Sequence, residues 1–202
     1  MLLVAGLSHA DDALVAQVRD GERPGSAALY LVAANGAGSR RLTPEGFDLD
    51  VDGGFAVNRA GDVVFVGPGG ALYWTDGTLV VPFVALPAGA SRRSIRHPAI
   101  NDAGDVAYAV YDHDLRHDVQ INLFDGFRTL PVAVVGDRLF EYRIHRVEKP
   151  FLTSAGVIGL CVGLQDRHGK LIKPAAVILN STDATSIFLE LDGTNSPHAA
   201  CN

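Results

Sequence analysis

The chain has 202 residues and a formal net charge of −6, with 48% apolar and 20% charged residues. This composition excludes a disordered tail, a collagen-like rod and a coiled coil. The acidic balance weighs against nucleic acid as a partner, because its phosphates require a basic surface. Short runs of Val, Ala and Leu are separated by 22 glycines and 10 prolines, which is typical of an all-β protein with many turns.

One sequence unit recurs four times along the chain. Its first strand ends in Asn, Ser or Thr, a turn containing Gly follows, and an apolar strand leaves the turn. The copies are anchored at Leu7, Val57, Ile100 and Leu152. In the two clearest copies, 57–65 and 100–108, the Asn side chain can bond to the backbone just ahead. The glycine supplies the positive φ that the turn requires.

Two further strands are predicted in each unit. The third strands fall at 28–31, 71–74, 121–124 and 176–179, and the fourth at 41–43, 79–83, 129–134 and 187–191. Four short strands per unit of about 50 residues form the blade of a β-propeller. The sequence therefore predicts an all-β fold, a small β-propeller of four blades with four antiparallel strands each. A β-sandwich or barrel with accidental self-similarity is the alternative.

The repeats divide the chain at about 1–46, 47–90, 91–138 and 139–202, within a single domain over 1–202. A blade cannot bury both of its faces alone, so the units must pack around an axis. The stretch 70–79 followed by an Asn-x-x-Gly-Asp-Val unit resembles bacterial propeller repeats, notably the HAF repeat. The segment 73–76, Tyr-Trp-Thr-Asp, resembles the YWTD repeat of receptor propellers. These resemblances imply a scaffold and no particular activity.

An acidic segment precedes the second unit and resembles the first half of a calcium loop. Its alternating carboxylates are Asp48, Asp50 and Asp52, followed by a glycine. The positions where calcium loops close hold Ala56 and Arg59, which are not calcium ligands. We therefore predict no metal here, with the three aspartates as candidate ligands and an acidic lead into the next strand as the favoured interpretation.

Two histidines, His113 and His117, stand four residues apart among aspartates. On a helix they would share a face and could hold a metal ion. The segment is instead predicted to link the second and third strands of blade three. We therefore favour a polar hairpin tip that can contact a partner, because loops carry function on rigid scaffolds.

Two basic clusters precede the predicted first strands of blades three and four. The first contains Arg93, Arg96 and His97, and the second contains Arg143 and His145. Equivalent places in neighbouring blades would bring them close together at one end of the central channel. There they could bind a carboxylate or a phosphate. Alternatively, these arginines pair with acidic neighbours such as Glu141 and Glu148.

No nucleophile elbow, phosphate-binding loop, zinc-protease motif or Cys-x-x-Cys occurs in the sequence. The sequence therefore predicts no cofactor and a non-catalytic module that binds another protein, with a cytoplasmic inhibitor or immunity-type protein as one interpretation. The alternatives are a hydrolase or lyase acting on a sugar or similar small substrate in the channel, and a carbohydrate-binding propeller. Neither nucleic acid nor a membrane is an expected partner, and a homodimer is an open alternative.

The cytoplasmic prediction rests on the expected absence of a signal peptide and of a membrane span. The apolar first residues lack a basic segment and run directly into Asp11 and Asp12, so we expect no cleaved signal peptide. No stretch reaches the length of a membrane span. Cys161 lies in an apolar run and Cys201 near the C-terminus, either as two thiols or as one bridge. The predicted location is the cytoplasm.

Overall fold

The computed structural model describes residues 8–10, 13–19, 27–33, 35, 37–139, 141–180 and 186–189. These residues form four antiparallel sheets, and within them only the short 3-10 turn Pro68–Gly70 is helical. No helix among them is long and apolar enough to cross a membrane.

The first three sheets each contain four strands in sequence order. Blade one comprises β1 (Ser8–Ala10), β2 (Ala13–Arg19), β3 (Ala27–Ala33) and β4 (Ser39–Arg41). Blade two comprises β5 (Phe55–Val57), β6 (Val63–Val66), β7 (Leu72–Thr75) and β8 (Val80–Val84). Blade three comprises β9 (Arg93–Ile100), β10 (Val106–Asp112), β11 (His117–Phe124) and β12 (Thr129–Val134).

Blade four departs from the four predicted strands. It comprises β13 (Arg138–Leu139), β14 (Tyr142–Val147), β15 (Phe151–Leu152), β16 (Val157–Gln165), β17 (Leu171–Asn180) and β18 (Ser186–Leu189). Both β14 and β15 pair with β16, so they are two halves of one interrupted first strand. The interruption contains Pro150, which has no N–H to donate to a ladder. The short β13 is an addition, paired with the free side of β14.

The second strands of the blades are buried on both faces, which explains their unbroken apolar sequence. Every residue of β6 is buried, and its alternate side chains enter two different cores. Val63 and Phe65 pack towards blade one, whereas Val64 and Val66 pack towards blade three. A strand with apolar residues on both faces thus joins two blades.

Three apolar cores lie between successive blades. The core between blades one and two includes Val15, Leu29, Val57 and Phe65. The core between blades two and three includes Val64, Leu72, Ile95 and Val110. The core between blades three and four includes Ala109, Ile121, Ile144 and Leu160. Burial between the units, and not within one unit, therefore stabilises the fold, as expected for stacked repeats.

The recurring Asn turns link neighbouring blades at one end of the molecule, here called the Asn-turn end. The Asn58 amide donates to the Asp62 carboxylate at 2.9 Å, and Asn101 donates to Asp105 in the same way at 2.8 Å. Gly61 and Gly104 have φ of 89° and 88°, as predicted from the sequence. The Asn58 amide also lies 3.3 Å from the Asn101 carbonyl oxygen, so the turn chemistry holds blade two on blade three.

Successive turns of an antiparallel sheet alternate between its two ends. The β10–β11 hairpin, residues 113–116, therefore lies at the opposite end from the Asn turns, here called the tip end. The backbone N–H of His97 donates to the Gly53 carbonyl at 2.8 Å near this end. The architecture is that of a small four-bladed β-propeller, as the sequence predicts.

Candidate functional site

The candidate site begins with an irregularity in β9. The pairing of β9 with β10 shifts register between Ala107 and Ala109, and His97 opposite this shift has a φ of 52°. Positive φ is uncommon for a residue other than glycine, and bulges of this kind redirect side chains. The basic residues predicted to precede the first strand of blade three lie within that strand, where Arg96 pairs with Ala109 and the bulge follows at His97.

A polar row crosses blade three beside this bulge. Tyr111 pairs with Ser94 on one side and with Asp118 on the other, so these three residues share one face of the sheet. Arg96 lies on the same face, and its guanidinium carbon is 3.7 Å from the centre of the Tyr111 ring. This distance indicates a cation–π interaction. The face is the one that packs on blade four through Ala109 and Ile121.

Blade four contributes basic groups opposite this row. Arg146 of β14 interacts electrostatically with Asp118, and Lys149 interacts with His97. Blades three and four are therefore apolar along most of their contact and polar towards the tip end. We call this set the inter-blade polar site, and it consists of Ser94, Arg96, His97, Tyr111, Asp118, Arg146 and Lys149.

Two buried oxygen atoms of the site have no hydrogen-bond partner among the described residues. They are Ser94 Oγ and Asp118 Oδ1. The Asp118 side chain is 11% exposed, and its other oxygen lies 3.9 Å from His97 Nε2. Leaving a buried polar group unsatisfied costs about 1–3 kcal/mol, so such groups call for an explanation. A polar group that reaches either oxygen would remove this cost.

Burial shifts the two titratable groups of the site in opposite directions. Burial lowers the pKa of His97, and the positive charges of Arg96 and Lys149 lower it further. The Asp118 carboxylate opposes these effects, because it raises the pKa of His97. Burial raises the pKa of Asp118, although the surrounding cations lower it. Both shifts arise because burial penalises the charged form of each group. The neutral imidazole is therefore favoured, and it can donate or accept a hydrogen bond.

The other predicted residues of blade three lie around the hairpin tip. Arg93 lies 3.6 Å from the Asp112 carboxylate, and the neighbouring Arg92 lies 2.6 Å from Asp114. His113 is exposed, with its ring edge-on to Tyr111 at 5.3 Å. His117 lies in β11, and its Nδ1 is 2.9 Å from the Asp118 carbonyl. The tip thus borders the inter-blade polar site.

The residues of the two predicted basic clusters lie in different surroundings. Arg96 and Arg146 both act on Asp118, whereas Arg143 lines a separate pocket and His145 is exposed at a register shift in β14. Arg146 also lies 3.5 Å from Glu148, which is the alternative pairing considered from the sequence.

The acidic segment before blade two uses a carboxylate to hold its own turn. Asp50 accepts hydrogen bonds from the backbone N–H groups of Asp52 and Gly53, each at 3.1 Å. Asp48 is exposed beside the buried Leu49. Throughout the described part of the chain, no group of three metal-ligating side chains converges.

Asp118 is one of the site residues that the sequence did not single out. Simple alternation places it on the opposite face of β11 from Ile121, away from blade four. The register shift between Val110 and Tyr111 turns it to the same face as Ile121. The residue left unpaired by this shift is the buried Val119, and a single sequence does not show where the pairing of two strands shifts.

Comparisons with known proteins identify the fold. No family model matches the chain, and no curated protein matches it. It is similar to the structure of TolB from Acinetobacter baumannii, with a TM-score of 0.58 and 12% identity over 93% of this chain. It is also similar to a mutant puromycin hydrolase complexed with PGG, with a TM-score of 0.59 and 10% identity over 95% of this chain. A GH74 xyloglucanase from Xanthomonas campestris has a TM-score of 0.50 and 16% identity over 93% of this chain.

The chain spans 43% of the TolB chain and 30% of each of the other two. These neighbours include β-propeller proteins, and at such low identity the similarity concerns the fold alone.

Proposed function

We propose that this chain is a non-catalytic propeller module that binds another protein at its tip end. The observation that carries the proposal is the pair of unpartnered buried oxygens, Ser94 Oγ and Asp118 Oδ1, beside several cations. Asp118 Oδ1 requires a hydrogen-bond donor, while Arg96 and Lys149 attract acceptors. A polar segment of a protein, with amide and side-chain groups of both kinds, meets both demands.

The tip supplies the surroundings that a protein contact needs. Leu115 is 58% exposed at the end of the hairpin, between Asp114 and Arg116. Asp114 forms an ion pair with Arg92. Interfaces commonly combine a well-packed centre, in which Tyr and Arg are enriched, with a polar rim that stays accessible to solvent. In this proposal Arg93, His113 and His117 form such a rim. The sequence predicted partner contact for the hairpin of His113 and His117, and binding of a carboxylate or phosphate for the cluster that contains Arg93.

Several finer predictions belong to this proposal. They are the inhibitor or immunity-type role, the similarity of the repeats to HAF-type and YWTD-type blades, the single domain over 1–202 and a homodimer. Sedimentation of the purified chain at several concentrations tests the homodimer. A monomer at all concentrations rejects it.

The cytoplasmic location also stays a prediction, and one feature opposes it. Cys161 is buried and disulfide-bonded, while Cys201 lies outside the described residues. Disulfides persist mainly in oxidising compartments. Alkylation of the unfolded protein from freshly lysed source cells, without reductant, tests the location. Modification of both cysteines supports the cytoplasm, and protection of both cysteines opposes it.

The test of protein binding compares Asp118→Asn with Asp137→Asn. Asp137 is an exposed carboxylate in the link between blades three and four, so its change alters the net charge equally. We expect the tagged wild type and Asp137→Asn to recover the same partner from source cells, and Asp118→Asn to recover at least about tenfold less. Equal recovery by all three proteins would contradict a contact through this site.

A hydrolase or lyase is the second candidate, because His97 Nε2 and Asp118 Oδ2 are only 3.9 Å apart. The lowered pKa of His97 leaves an imidazole able to act as a base near neutral pH. Incubation with panels of glycosides and esters tests this, with His97→Gln as the inactive control. Turnover that His97→Gln abolishes favours the enzyme, and retention of intact sugars without turnover favours the carbohydrate-binding alternative.

A further inference from the structure

A second basic site lies on blade four and is independent of the inter-blade polar site. Arg138 of β13 pairs directly with Arg143 of β14, and Arg143 pairs with Gln165 of β16. Residues paired directly across antiparallel strands share a face with Cβ atoms about 5 Å apart. The two guanidinium groups therefore extend from adjacent positions on one surface.

This juxtaposition is unfavourable for the chain on its own. Like charges directly opposite each other destabilise a sheet. Neither arginine forms an ion pair with any described residue. Arg167, on the β16–β17 hairpin, lines the same pocket with Arg138 and Arg143. Three exposed guanidinium groups thus surround one concave surface.

Two acidic residues, Glu141 and Asp166, also line the pocket. Asp166 accepts hydrogen bonds from the N–H groups of His168 and Lys170 at 2.8 and 2.9 Å, so its carboxylate holds its own turn. These bonds hold the pKa of Asp166 below its ordinary value. Glu141 is exposed in the β13–β14 hairpin and makes no ion pair with the described arginines within 4.0 Å. Three arginines against two carboxylates leave one positive charge in excess.

We propose that the pocket lined by Arg138, Arg143 and Arg167 binds an oxyanion, with a phosphate group as the preferred ligand. Planar guanidinium groups form paired hydrogen bonds with carboxylate and phosphate oxygens. Three guanidinium groups match the several terminal oxygens of a phosphate better than the two of a carboxylate. Bound anion would also relieve the repulsion between the paired arginines.

The experiment is calorimetric titration of the full chain with inorganic phosphate at constant ionic strength, with acetate in a parallel arm. The variants are Arg143→Gln, Arg138→Gln and Glu141→Gln. Arg59→Gln is the control, because Arg59 is an exposed arginine at the Asn-turn end. Melting temperatures of all variants establish that each one is folded.

We expect saturable phosphate binding that weakens about tenfold or more in each pocket arginine variant and is unchanged in Arg59→Gln. Glu141→Gln should bind phosphate more tightly, since it removes a competing negative charge. Acetate binding with the same variant dependence and equal affinity would assign the site to carboxylates as well as phosphates. Absence of saturable binding of either anion, or equal weakening in Arg59→Gln, would overturn the proposal.

Discussion

Single polar side chains decide how the repeated turns close. Asn101 is buried, with 3% exposure, and its amide both donates to Asp105 and accepts from the backbone N–H groups of Ala103 and Asp105. The choice of Asn is physical, because a carboxamide carries a donor and an acceptor on one short side chain. This is why the repeat was visible in the sequence.

Asn101→Ala should lower the free energy of unfolding by about 2 kcal/mol, because it leaves buried donors and a carboxylate without partners. Asn35→Ala is the control, since exposed Asn35 accepts one bond from Ala37 and should cost less than about 0.5 kcal/mol. Urea denaturation followed by circular dichroism measures both. Equal losses would show that the Asn turn is not what the repeat preserves.

His97 reports the electrostatics of the inter-blade polar site. Burial holds its pKa below the ordinary histidine value, and the nearby Asp118 carboxylate opposes this. The unfolded chain therefore binds this proton more readily, and the contribution of His97 to stability falls as pH drops from the ordinary pKa towards the lowered one.

Asp118→Asn should lower the pKa of His97 further, because it removes the attraction that favours the imidazolium. Proton NMR titration of the imidazole in the wild type and in Asp118→Asn measures the change. A pKa that rises in the variant would show that the Asp118 carboxylate does not face this histidine.

At the scale of elements, irregularities of the strands place the candidate site. The pattern of short apolar runs between turns predicted the strands of blades two and three well, because both faces of β6 and β10 are buried. It could not predict the bulges at His97 and Tyr111, since a register shift depends on pairing between distant segments. Predicted residues such as Arg96 and His97 therefore fall in the site, while Asp118 was missed.

The interrupted first strand of blade four has its own local packing. Phe151 of β15 pairs with Gly159 of β16, and its ring covers the position that a Cβ on Gly159 would take. An aromatic ring over a strand glycine shields the backbone that the glycine exposes.

Gly159→Ala should therefore destabilise the protein by about 1–2 kcal/mol, and by much less when Phe151 is already alanine. A double-mutant cycle of Gly159→Ala and Phe151→Ala measures the coupling by urea denaturation. Additive effects would place the ring elsewhere.

At the scale of the molecule, the four repeats predicted the propeller architecture, because each unit carries its own turn and strand signals. The propeller prediction is confirmed, although blade four has six strands where four were expected. The function was less accessible, because the inter-blade polar site combines residues from two blades that are far apart in sequence. Spacing within one unit cannot show which side chains meet between units.

The central claim is that a partner protein contacts the tip end beside Asp118. Site-specific photo-crosslinking in source cells tests it most directly, with the reactive residue at Leu115 on the tip or at Phe127 on the Asn-turn end. Both positions are well exposed, at 58% and 96%. We predict a protein adduct at position 115 that Asp118→Asn abolishes, and none at position 127. An adduct at position 127 alone, or one at position 115 that Asp118→Asn leaves unchanged, would contradict the account.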